Sequence, residues 1–192
     1  MGLGQLKWAG VLLLMLLIYF YIGNFLDRSN FPFLITGVSV LFVGYIFLYK
    51  QSKAWHWKQI LLIGVLFRLA FLIAIPNLSD DYFRFIWDGY LVVNGVNPYD
   101  YLPTEVAIEF PNKEVLLAGM NSPNYYSVYP PFTQAIYAFG VWLSPNSILG
   151  NIIVFRLFII ASECISFLLI RDILKKNNLH LKNATLYFFN PL

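Results

Sequence analysis

The sequence predicts an all-α protein: a polytopic transmembrane helical bundle with an extracytoplasmic loop that contains amphipathic juxtamembrane helices. Three observations carry this. Of 192 residues, 59% are hydrophobic and only 12% charged, far from the make-up of a soluble domain. Apolar runs of membrane-spanning length recur, and Lys and Arg gather at their ends. The acids instead concentrate in one segment, residues 77–130. A net charge of +3, scattered along the chain, gives no case for binding nucleic acid. The single cysteine, Cys164, lies in an apolar run and reads as a small buried residue, so no disulfide framework is expected.

Residues 1–192 read as one membrane domain. Lys7 precedes an apolar run, 8–26, that is longer than a signal-peptide core and has no small-x-small cleavage site after it, which predicts a retained first span. Asp27, Arg28, Ser29 and Asn30 make a tight turn into a second span, 31–49. Each run can cross about 30 Å of hydrocarbon at about 1.5 Å per residue. Lys50, Lys53 and Lys58, flanked by the interfacial anchors Trp55 and Trp57, mark the next loop as cytoplasmic. The third span, 59–76, therefore runs outward and ends at Pro76, which puts the loop 77–130 on the extracytoplasmic face.

That loop carries seven acids (Asp80, Asp81, Asp88, Asp100, Glu105, Glu109, Glu114) against Arg84 and Lys113. Ser79 is placed to cap a helix on which Phe83, Ile86, Trp87, Tyr90 and Leu91 form one stripe and Asp81, Arg84 and Asp88 share the opposite face. Such a helix is expected to lie flat on the bilayer, aromatic side in the headgroups and carboxylates toward water. Gly95, Asn97 and Pro98 stop it. Residues 105–110 and 113–120 are candidate short helices parted by Pro111.

Residues 130–143 are short for a span and read either as a short crossing or as a re-entrant helix, whereas 148–170 is a full span. If both cross, Arg171, Lys175, Lys176 and Lys182 fall outside, so charge alone favours the re-entrant arrangement. A further span starts at 184 and is about half complete at 192, so the chain reads as cut there, either a truncated protein or a fragment.

Asp80 and Asp81 open a helix, where acids favour the positive end of the macrodipole whatever their function. Carboxylates at a water–membrane boundary, beside Arg84 and several tyrosines, are also suited to accept a proton or to hold a divalent cation. Arg68 lies within the third span, where a guanidinium costs at least about 2.5 kcal/mol on insertion scales. It needs a partner: the phosphate of a lipid carrier, a helix carbonyl, or an acid such as Glu163, which also has Arg156 two turns away. His56 and His180 have no second ligand at metal spacing and read as interfacial polar residues. Gly2 and Gly4 lack the strand–helix context of a phosphate loop.

The run Leu78, Ser79, Asp80, Asp81, Arg84, Trp87, Asp88, Gly89, Gly95, Asn97, Pro98 and Tyr99 resembles the first-loop signature of polytopic mannosyltransferases of the GT-C superfamily. Tyr129, Pro130 and Pro131 resemble the YPP that opens their next helix, and Asn190, Pro191 and Leu192 their NPL motif. Arg68 stands where the family often has an arginine. The resemblance implies the N-terminal part of a GT-C-like fold, incomplete by itself. It also implies an enzyme that moves a sugar, mannose by analogy, from a polyprenyl-phosphate carrier to an extracytoplasmic glycan, lipid or protein acceptor. By the same analogy Asp81 is the base and Asp80 its helper, either or both able to hold Mg or Mn. Arg84, Asp88, Arg68, Tyr99 and Tyr129 then bind substrate. The rival from another class is a non-catalytic transporter or assembly subunit for lipid-linked sugars.

Overall fold

A computed structural model describes residues 3–191 of the chain, with side chains from residue 7 onward. Gly2, and Leu192 at the end of the Asn-Pro-Leu run, lie outside the described residues. Among the described residues the regular structure is helical, without strands: α1 (Leu3–Asn24), α2 (Phe31–Gln51), α3 (Trp57–Leu69), α4 (Asp81–Val93), α5 (Lys113–Gly119), α6 (Pro131–Leu143), α7 (Ile148–Lys176) and α8 (Ala184–Phe188). Three stretches are long and apolar enough to cross a membrane, Lys7–Asn24, Phe31–Ala54 and Ile148–Lys176. The chain is an all-α membrane protein.

It divides into two compact units, one formed by the chain up to Ala74 together with Ile159 onward, the other by Ile75–Phe158. In the first unit, α1 buries Met15, Tyr19 and Ile22, continued by Leu26 beyond its end, a stripe at i, i+4, i+7 and i+11. It meets Leu41 and Leu48 of α2 across Gly44, where an added Cβ would sit 2.6 Å from the Met15 sulfur. A small residue thus sets the approach of these two helices. Leu13, Leu17, Val43 and Ile46 point outward and are exposed, which is no cost where the solvent is hydrocarbon.

His56 and Gln59 start α3 with reciprocal hydrogen bonds: Lys58 N–H donates to His56 Nδ1 (3.3 Å) and His56 N–H to Gln59 Oε1 (2.9 Å). His180 likewise accepts from the Lys182 N–H. Both histidines are helix-start residues, a role more specific than interfacial polarity. Where a span was expected over 59–76, the regular helix has 13 residues, about 20 Å at about 1.5 Å per residue. Residues 70–73 form turns, and Asn24 Nδ2 donates to the Ala70 carbonyl at 3.4 Å.

The second unit is built around α4. Ile86, Trp87, Tyr90 and Leu91 are buried, and Phe110 stands edge-on to Trp87 (4.9 Å) and stacks on Tyr90 (4.6 Å). The aromatic stripe expected to sit in headgroups is therefore the core of a folded segment, covered by residues 106–120. On its other side α4 packs against α6 with Phe85 stacked on Tyr137 at 4.7 Å. Gly89 permits the approach, because a Cβ there would lie 2.6 Å from the Tyr137 carbonyl oxygen. Gly95, at φ +74°, follows the last turn in the left-handed conformation that only glycine adopts without cost.

Candidate functional site

Asp81 is the first residue of α4. Its N–H donates to Ser79 Oγ at 3.2 Å, so Ser79 caps from one residue further out than expected, with Asp80 between them at the N-cap position. The Asp81 carboxylate is half-buried at the positive end of the helix, and Oδ1 accepts from Asn121 Nδ2 at 3.0 Å.

Two turns on, Asp88 is in a different environment. Its side chain is 0% exposed and that of Arg84 is 2%. Arg84 Nε donates to Asp88 Oδ1 at 2.8 Å, while Ser127 Oγ (2.5 Å) and Gln134 Nε2 (2.9 Å) donate to Oδ2. Arg84 Nη1 donates in turn to the carbonyls of Ser122 (3.0 Å) and Tyr125 (2.8 Å). The polar face of α4 does not turn to water as a whole: Arg84 and Asp88 are covered by the segment 121–130 and by α6. The reason is that a charge is tolerated inside when it is paired and hydrogen-bonded: both Asp88 oxygens and the Nε and Nη1 of Arg84 have fixed partners, while Arg84 Nη2 is buried without one. Because the clamp holds Ser122 and Tyr125, it also holds their neighbour Asn121, which reaches Asp81.

Tyr99 is exposed and donates to the Tyr129 carbonyl at 2.5 Å. The Tyr129 ring stands edge-on to Phe85 (5.0 Å) and Tyr137 (5.8 Å). Burial pushes the Tyr129 phenol above the usual tyrosine range; Asp81 and Asp88 add to that shift and Arg84 opposes it. Tyr82 is also raised, by burial and then by Asp80. Asp81, Arg84, Asp88, Asn121 and Tyr129 thus share one site.

Residues 4–192 match the family described as alpha-(1->6)-mannopyranosyltransferase, N-terminal domain. The chain belongs to this MptA_B family. Comparison with curated proteins and with solved structures finds no match. As a member of a mannosyltransferase family the chain is a glycosyltransferase domain, and the reading as a transporter or assembly subunit is set aside.

Arg68, in the first unit, has both protein partners that the sequence left open. Nη2 pairs with Glu163 Oε2 at 2.6 Å, and Nη1 donates to the carbonyls of Gly64 (2.9 Å) and Phe188 (3.0 Å). The guanidinium lies 4.3 Å from the Phe188 ring centroid, and Tyr187 donates to the other Glu163 oxygen at 2.8 Å. These groups border a cavity of about 220 Å³ that Tyr19, Phe67 and Phe71 also line.

Among the described residues no three His, Cys, Asp or Glu side chains gather as metal ligands. A divalent cation would rest on Asp80 and Asp81 and take its remaining oxygens from substrate and water, a common arrangement for Mg²⁺. Sequence reasoning missed Asn121, Ser127 and Gln134. Gln134 carried the one signal: an amide inside an apolar helix needs a buried partner.

Proposed function

We propose that this domain belongs to an enzyme that transfers mannose from a polyprenyl-phosphate carrier to an acceptor hydroxyl on the extracytoplasmic face, with Asp81 as general base. The observation that carries the reading is the contrast between the two carboxylates on α4. Asp88 is fully buried and spends both oxygens on Arg84, Ser127 and Gln134. Asp81 is half-buried at the mouth of the helix and accepts a side-chain hydrogen bond from Asn121. It is the carboxylate of the pair that a substrate hydroxyl can approach.

In this step the acceptor oxygen forms a bond to the anomeric carbon, its proton passes to Asp81, and the bond from that carbon to the phosphate oxygen breaks. The electron pair leaves with the polyprenyl phosphate. Tyr129 keeps its proton at neutral pH and can donate to a sugar oxygen, and exposed Tyr99 can stack on a sugar ring. Mg or Mn bound by Asp80 and Asp81 would supply charge neutralisation for the phosphate. The cytoplasmic cluster of Lys50, Lys53 and Lys58 supports an outward-facing loop.

The test is transfer of radiolabelled mannose from polyprenyl-phosphate-mannose in membranes containing the full-length gene product or its Asp81→Asn variant at equal abundance. A loss of about 10²–10⁴-fold is expected, the usual contribution of a positioned general base. Equal transfer by both proteins would remove Asp81 from that role.

A further inference from the structure

At the end of the first unit where α3 begins and α7 ends there is a cleft of about 480 Å³. It is lined by Trp57, Arg171, Asp172, Lys175 and the leucines 174, 179 and 181. Its size is that of a small-molecule site. Arg171 lies with its guanidinium 4.9 Å from the Trp57 ring centroid and is fixed by Asp172 at 2.7 Å. Lys175 is exposed.

The surroundings are strongly basic. Residues 49–58 and 171–183 hold seven Lys or Arg against Asp172 alone. The two segments belong to one end of the unit, because Tyr49 donates to Asn183 (3.4 Å) and Lys182 lies 4.8 Å from the Tyr49 ring centroid. Away from this end the cleft residues are continued by apolar ones. Cys164 and Leu168 share the α7 face of Arg171 and Lys175 at i, i+4, i+7 and i+11, and Leu61 and Val65 share the α3 face of Trp57; all four are half-buried.

We propose that this cleft is a binding site for the phosphate headgroup of an anionic membrane phospholipid. Arg171 and Lys175 contact the phosphate, Trp57 and the leucines hold the glycerol region, and an acyl chain follows Leu61, Val65 and Leu168. A free phosphate ester offers the same charge, but Leu61, Val65 and Leu168, packed on the core by one side and left half-buried, continue the cleft as an apolar path on which an acyl chain can lie, which commits the site to a lipid. Basic pockets beside membrane-spanning helices are suited to such headgroups. The inference does not depend on the catalytic reading of Asp81.

Native mass spectrometry of the purified full chain tests this, with dioleoyl phosphatidylglycerol, dioleoyl phosphatidylcholine or soluble glycerol 3-phosphate added. The expected result is retention of phosphatidylglycerol at least about tenfold above phosphatidylcholine and glycerol phosphate, weakening as salt screens the charges. Arg171→Gln with Lys175→Gln should abolish that preference. Lys53→Gln with Lys176→Gln removes the same charge outside the cleft and should leave it intact, and Arg171→Lys with Lys175→Arg should retain most of it. Equal loss in both glutamine pairs would overturn the site in favour of diffuse surface charge. Retention of phosphatidylcholine or glycerol phosphate equal to that of phosphatidylglycerol would overturn the lipid assignment.

Discussion

Arg84 and Asp88 form an ion pair of 2.8 Å inside the second unit, one turn apart on α4, and both side chains are almost wholly out of contact with solvent. Their remaining partners come from residues 122–134, so the pair ties α4 to the chain that returns toward α6. A charge pair this deep gains little net stability over a well-packed apolar pair, but it is costly to break on one side. Through the Ser122 and Tyr125 carbonyls Arg84 also holds the segment whose Asn121 reaches Asp81.

Asp88→Asn should destabilise the protein by about 3–5 kcal/mol, because it leaves the Arg84 guanidinium buried without its counter-charge. Arg84→Met combined with Asp88→Leu should recover most of that loss. Thermal unfolding in detergent reads both, with Asp81→Asn, at the half-buried carboxylate, as the control that shifts the midpoint less. Equal destabilisation by Asp81→Asn and Asp88→Asn would contradict the difference in burial.

Asn121→Ala removes the side-chain amide that donates to Asp81 Oδ1. Mannose transfer should fall about tenfold, about 1.4 kcal/mol of barrier, as Asp81 loses its orientation, and folding stability should fall by no more than about 1.5 kcal/mol. Unaltered transfer would mean that Asp81 is oriented by something else.

What could be read from the sequence follows from the cost of each feature. The long apolar runs over α1, α2 and α7 admit no other structure in lipid, and Arg68 declared its need for a partner such as Glu163 because a lone guanidinium there is expensive. Arg84 and Asp88 misled, since a polar helix face is by default turned to water. Their covering groups are Ser127 and Gln134, 39 and 46 residues beyond Asp88, neutral side chains that leave no periodic trace. The end of α3 was equally hidden: residues 70–75 are apolar, and the turn there is met by Asn24 from another helix.

The Arg68–Glu163 pair should contribute modestly, since both side chains keep some exposure (22% and 27%) and polar contacts in membrane bundles average well under their nominal strength. A double-mutant cycle with Arg68→Met and Glu163→Gln should return a coupling of about 1 kcal/mol in thermal unfolding. A coupling near zero would separate the two groups energetically despite their 2.6 Å contact.

Gly89→Ala tests the contact of α4 with α6. The new Cβ would meet the Tyr137 carbonyl at 2.6 Å, and a backbone atom in a helix cannot swing aside. A loss of about 1–3 kcal/mol is expected, as for other overpacked sites. Gly10→Ala, where nothing lies within 4 Å of the added carbon, should change stability by less than about 1 kcal/mol and in the opposite direction.

Tyr129 reports on the charge of Asp81. Its phenol is held above the normal range first by burial, then by the Asp81 and Asp88 carboxylates, because phenolate formation would place a further negative charge beside them. Asp81→Asn removes one of those charges, so Tyr129 should titrate at lower pH in the variant, while burial keeps it above the unfolded value of about 10. The sign for stability follows: the raised folded value means that the contribution of Tyr129 is fully present below about pH 10 and is lost as pH rises through its folded titration. Carbon-13 tyrosine ring NMR, with the signal assigned by Tyr129→Phe, measures the shift directly. A titration unmoved by Asp81→Asn would mean that this carboxylate does not face Tyr129, and the proposal that the two act on one substrate would fail with it.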